Sequence, residues 1–212
     1  MSVLDTETFH RWIVETARLV EANADRLTSL DAAIGDADHG INLRRGFQAA
    51  VTALAEKPAA TPGAVLATVG RALISKTGGA SGPLYGTGFR HASKSLGEAA
   101  EVSELQLGAA LAAAVAGIRQ LGAAAEGDKT MVDAWTPAVA AYQSTVDGGG
   151  ALAEATRAAA DAAEGGLRST VELQARKGRA SYLGPRSVGH EDPGAASTVL
   201  LLRALATVTA ET

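Results

Sequence analysis

The stretch "LDAAIGDADHGINLRRG" crowds Asp31, Asp36, Asp38 and His39 among glycines in an otherwise alanine-rich chain. Carboxylate oxygens are the ligands hard cations such as Mg²⁺ prefer, and Gly35 and Gly40 permit the tight turns that would converge them. A calcium EF-hand loop does not fit: counted from Asp36, its fifth position is Gly40 and its twelfth is Phe47, where a bidentate glutamate is needed. Catalytic zinc sets need more imidazole or thiolate than His39 supplies. The same aspartates serve equally well as turn formers and helix caps, and spacing alone does not separate the two readings.

The usual co-ligand of Mg²⁺ is a phosphate, and the chain offers donors for one in "GGASG", "GDKT" and Arg179. There is no Walker sequence and no GxGxxG, so a nucleotide would be held by helix ends, metal and arginine. Each feature also has a plainer use. Glycines serve close helix packing, an isolated arginine is commonly a solvated charge, and His39 and His190 suit a cap and a loop.

The elements that would position these groups are helical. With 212 residues, 47% apolar and 20% charged, the chain fits one domain, 1–212, that buries a core without staples. Aromatics are only 4%, so that core is built from small side chains. Net charge is −4 with scattered basic residues, against a nucleic-acid partner, and the lack of cysteine removes disulfide and thiol chemistry. "MSVLDTETFHRW" lacks the pattern of a signal peptide, and the run "LGAALAAAVAGI" is too short to span a bilayer, so no membrane partner and a cytoplasmic location are expected.

Asp5 or Thr6 should cap a first helix whose face runs from Phe9 to Leu27. A second starts near Asn42 and stops at "KPAATPG", which leaves the carboxylates in the connection. Further helices are expected over Val65 to Lys76, from a Ser81 cap to about Leu96, and over Ser103 to about Gln120. Another should follow a Thr130 cap with a kink at Pro137, and one over Ala151 to Ala175 should break at Gly165–Gly166. The last runs from Pro193 to Ala210. That makes about eight helices and no strand. Between the last two, "RKGRASYLGPRSVGHEDPG" is too polar for core and long enough for a binding loop.

"LDAAIGDADHGINLRRGF", "GGASGPLYGTGF", "GDKTMVDAWTPA" and "GRASYLGPRSVGHEDPGAASTVLLLRAL" resemble, in the same order, the signatures of the ADP-binding L subunits of bacterial dihydroxyacetone kinases. The resemblance covers essentially the whole chain. It implies an all-α fold, an eight-helix antiparallel barrel-like bundle with the nucleotide site at one end. It assigns Asp31, Asp36 and Asp38 to two Mg²⁺ ions that bridge to the phosphates of ADP or ATP. His39, Gly40, Ile41 and Asn42 would line the nucleotide, Ala80 and Ser81 would face the phosphates, and Gly122 and Met131 would border the base. Arg179, as the catalytic arginine, would close the site together with Gly194 and Ala195.

Ala37 stands where the family usually has glycine; if that position needs positive φ, the loop carries about 1 kcal/mol of strain. Related fatty-acid-kinase domains tend to have threonine in place of His39, so the histidine sides with the dihydroxyacetone branch. The implied function is phosphoryl transfer to dihydroxyacetone held on a separate K subunit. ADP would be a resident coenzyme recharged by a phosphohistidine M subunit, and this chain would be an inactive homodimer on its own. Alternatives are an L subunit of an ATP-dependent ketose or tetrose kinase, and a nucleotide-loaded regulatory module without turnover.

Overall fold

The first helix, α1 (Thr6–Ala22), starts as expected: the Asp5 carboxylate accepts the Thr8 N–H at 2.8 Å. It stops short of the expected end. Asn23 donates from its side-chain amide back to the Leu19 carbonyl at 2.8 Å, competing with the helical ladder, and a separate α2 (Ala24–Ile34) follows. Asp31 therefore lies in the last turn of a helix, while Asp36 and Asp38 lie in the connection to α3 (His39–Glu56).

The computed structural model describes residues 4–211; residues 1–3 and 212, which the leader reading and the domain bounds include, lie outside the described residues. The remaining helices are α4 (Pro62–Lys76), α5 (Ser81–Leu96), α6 (Glu104–Gly122), α7 (Val132–Asp147), α8 (Leu152–Ser169) and α9 (Pro193–Thr209). If α1 and α2 are taken as one segment interrupted at Asn23, the described residues contain the expected eight. No strand occurs among them. Leu4 and Val102 form one isolated antiparallel bridge that ties the start of the chain to the approach to α6.

α7 is one continuous helix through Pro137, where a kink is expected, and the break expected in α8 is absent. α7 passes through Pro137 because the proline lies near its start, where only the bond to Asp133 is lost. α8 continues through Gly165–Gly166, and Gly166 is used for close approach: a Cβ there would come 2.1 Å from the Asp133 carbonyl oxygen.

Each helix packs on its successor, and α1 packs on both α3 and α9. α9 is buried along nearly its whole length, Gly194, Ala195, Val199, Leu201 and Leu202 included, with Arg203 and Thr207 reaching the surface. Among the described residues one helix, Glu104–Gly122, is long and apolar enough to cross a membrane by length and composition; it packs between α5 and α7.

α3, α5, α7 and α9 all begin, and α2 and α6 both end, around one cavity. The segment from α8 to α9 crosses the same end, with 3-10 turns at Thr170–Glu172 and Arg179–Ser187.

Candidate nucleotide and metal site

The cavity holds about 560 Å³. On one side are Asp31, Asp36 and Asp38, whose nearest carboxylate oxygens all lie within 4.8 Å of one another. Asp31 is buried, and its Oδ2 accepts the N–H groups of Asp38 at 2.8 Å and His39 at 3.1 Å. It therefore closes the loop that carries its two partners. Asp38 occupies the N-cap position of α3, yet its side chain makes no capping bond. Asp36 pairs with the Nε of Arg179 at 2.7 Å.

The three carboxylates differ in what they do locally. Only Asp31 acts as a local backbone acceptor. The carboxylates of Asp36 and Asp38 are brought beside it against their mutual repulsion with one partly exposed arginine for compensation. Such an oxygen-only set fits hard divalent cations. Ala37, between them, has φ 61°, so the residue that replaces the family's glycine does sit in the left-handed region.

His39 lies at the head of α3. Its Nε2 is 2.9 Å from Ser197 Oγ, which is 2.7 Å from the hydroxyl of buried Tyr85. That hydroxyl also lies 2.8 Å from Thr198 Oγ1 and donates to the Gly194 carbonyl at 3.0 Å. Burial pushes the imidazole down to about 4, against the opposing pull of the Asp31 and Asp38 carboxylates. His39 is therefore neutral, and its ring is bound into the hydrogen-bond network at the start of α9. The same burial raises the Tyr85 phenol.

Beside the carboxylates, the cavity wall passes through Gly79, Ala80 and Ser81 at the start of α5 and through Pro193 and Gly194 at the start of α9. Backbone N–H groups exposed at helix starts suit an anion. Ser81 lies inside the first turn of α5 rather than capping it; Ala80 is the cap residue. The far side is apolar, with Leu84, Ile118, Leu121, Met131 and Val132. A charged pole and an apolar pole in one cavity match a molecule with phosphates at one end and a flat ring at the other.

Of the residues named from sequence, Asp31, Asp36, Asp38, His39, Ala80, Ser81, Gly122, Met131, Arg179 and Gly194 line this cavity. Gly40, Ile41, Asn42 and Ala195 are not among its lining residues. Gly40 faces α2, where a Cβ would come 2.0 Å from the Ala24 carbonyl oxygen, and Ile41 is half exposed on α3. Asn42 is buried against Gly78 and accepts from Arg45 at 2.8 Å. Ala195 is buried, its N–H donated to Asp192 at 2.7 Å.

Sequence reasoning passed over Lys129 and Asp192. "GDKT" suggested a phosphate donor, but the Lys129 side chain is buried. Its ammonium donates to the carbonyls of Thr170 and His190, and burial lowers its pKa. Asp192 caps α9, and burial pushes its carboxyl up to about 7, opposed by the Ala195 N–H. Apolar Ile118 and Leu121 recur at helical spacing, which was a signal for the apolar wall.

The profile described as the DAK2 domain matches residues 33–207. The chain is 39% identical over 195 residues, 92% of it and 93% of the relative, to the ADP-binding subunit DhaL of PEP-dependent dihydroxyacetone kinase from Escherichia coli. It is 41% identical over 196 residues, 92% of each, to the ADP-binding subunit DhaL of PEP-dependent dihydroxyacetone kinase 1 from Listeria innocua. The solved dihydroxyacetone kinase from C. freundii in complex with AMP-PNP and Mg²⁺ is similar with a TM-score of 0.68 and 26% identity, covering 93% of this chain and 33% of that longer one.

Proposed function

The chain belongs to the DAK2-domain family, and from that membership we propose that it is the nucleotide-binding subunit of a dihydroxyacetone kinase. The observation that carries the reading is the convergence of Asp31, Asp36 and Asp38 with the starts of α3, α5 and α9 on one pole of a single cavity. Asp31, Asp36 and Asp38 would hold Mg²⁺, which would supply neutralisation of the charge that develops on the phosphoryl group during transfer. We assign two such ions to the cluster.

The chain's own residues do the rest. Helix starts at Ala80–Ser81 and Gly194 receive the phosphates, while Gly122, Met131 and the apolar wall hold the base. The Arg179 side chain, largely exposed at the rim, adds positive charge where the phosphoryl group leaves. His39 holds the metal loop to the start of α9, and we keep Gly40, Ile41, Asn42 and Ala195 as residues that the resemblance places near the nucleotide.

The chemistry the bound nucleotide would supply is transfer of its terminal phosphoryl group to a hydroxyl of dihydroxyacetone on a separate K subunit: the bond to the ADP oxygen breaks, the bond to the hydroxyl oxygen forms, ADP is the leaving group, and the hydroxyl proton goes to a base on the K subunit. ADP stays bound and is recharged by a phosphohistidine M subunit. Support for this donor is the match along more than nine-tenths of two relatives named as ADP-binding subunits of PEP-dependent kinases. We read 1–212 as one barrel-like domain, supported by the ring of neighbouring helices from α1 through α9, and, from the family resemblance alone, as a cytoplasmic homodimer.

Reconstitution tests the reading. The chain with a K subunit, an M subunit and a phosphoryl donor is expected to form dihydroxyacetone phosphate, and each protein alone to form none. Formation of no product, with Mg·ADP nevertheless bound, would leave a regulatory module as the correct description.

A further inference from the structure

Lys129 is a buried ammonium with no place in the chemistry above. It sits in the turn 125–133, at φ 60°, a backbone conformation in which a lysine rarely appears. The turn is braced from within. Asp128 Oδ2 accepts the Ala125 N–H at 2.9 Å, and the Asp133 carboxylate accepts the N–H groups of Gly127 at 2.5 Å and Thr130 at 2.7 Å.

From this rigid turn two neighbouring residues reach both roots of the segment that carries Arg179. The Asp128 carbonyl accepts the Arg176 N–H at 3.0 Å. The Lys129 ammonium donates to the His190 carbonyl and, beside it, to the Thr170 carbonyl at the end of α8. Around these, Gly189 N–H donates to the Val171 carbonyl at 2.7 Å and Asp192 N–H to Thr170 Oγ1 at 3.0 Å. The acid side chains of Asp133 and Asp192 compensate the buried positive charge. Lys129 itself, together with Thr130 and Met131 of the same turn, also lines the cavity.

We propose that Lys129 is a positioning residue: with the Asp128 carbonyl it clamps the two roots of the 176–190 segment and so fixes where Arg179 stands over the cavity. The proposal rests on the nucleotide-site reading, in which Arg179 meets the phosphates.

The test uses the full chain reconstituted with its K and M subunits, with Mg·ADP affinity measured in parallel. Lys129→Met, which keeps the length and removes the donors, is expected to lower kcat at least about tenfold while changing the Mg·ADP Kd less than about threefold. Lys129→Gln, which retains two donors, should recover part of the loss. The double variant Lys129→Met/Arg179→Ala should be no slower than Arg179→Ala, because a residue that acts only through the arginine has nothing left to lose.

Losses that multiply in the double variant, or an unchanged kcat in Lys129→Met, overturn the proposal. Failure of the wild type to bind Mg·ADP would instead overturn the underlying site reading. Should both Lys129 variants fail to fold, hydrogen exchange on the wild type decides. The amides of Arg176 and Gly189 are expected to open together with those of Gly127 and Thr130. Roots that exchange more than about a hundredfold faster than the turn would contradict the clamp.

Discussion

At the scale of single residues, strain and burial at the site make measurable predictions. Ala37 holds a left-handed backbone between two metal-binding candidates, so Ala37→Gly should stabilise the chain by up to about 1 kcal/mol, a rise of about 2–4 °C in melting temperature. A lower melting temperature would show that the loop tolerates alanine at no cost. Asp192 titrates near 7 in the fold against an ordinary value of 3.8, so the folded protein binds its proton more tightly than the unfolded chain. Stability contributed by the protonated form is present at low pH and is lost as pH rises through about 7. Asp192→Asn keeps an acceptor for the Ala195 N–H and should flatten the fall in stability between pH 4 and pH 7 in denaturant titrations. Residue type and glycine context drew attention to the aspartates, but capping stayed open for them and a solvated charge for Arg179, and it was the family resemblance that gave these residues their proposed roles. Lys129 was not legible in the sequence, since only its positive φ and the packing of α8 turn the ammonium inward.

At the scale of elements, apolar periodicity located the helices, and local polar competition shifted their ends. Nothing in the spacing from Phe9 to Leu27 marks the break at Asn23, which arises from the side-chain bond to Leu19. Gly165–Gly166 looked like a break and is a contact, because the approach to Asp133 leaves no room for a Cβ at Gly166. Gly40 shows the same effect near the site. Its family position suggests a nucleotide contact, and its missing side chain also lets α3 meet α2 at the Ala24 carbonyl. Gly40→Ala should therefore destabilise the fold by about 1–3 kcal/mol by thermal melting, with Mg·ADP affinity following stability rather than falling alone. A selective loss of affinity at unchanged melting temperature would return Gly40 to the nucleotide contacts.

At the scale of the whole molecule, helices brought to one end by antiparallel packing surround a cavity with their starts, and a loop between the last two helices delivers the arginine. The buried hydrogen-bond network from His39 through Ser197 to Tyr85 and Gly194 ties the metal loop to the central helix α9. The loop proposed to hold the metal and the helix start proposed to receive phosphate are thus joined through one buried network. The central claim is that the aspartate cluster holds Mg²⁺ and, through it, the nucleotide. Its most direct test is the thermal shift produced by Mg·ADP in wild type, Asp36→Asn and Asp38→Asn. Each substitution keeps the side-chain shape and deletes one charge, and neither side chain caps a helix in the structure. The account predicts variants that melt near the wild-type temperature without ligand and lose most of the stabilisation that Mg·ADP gives the wild type. Variants that keep the full wild-type shift would contradict it.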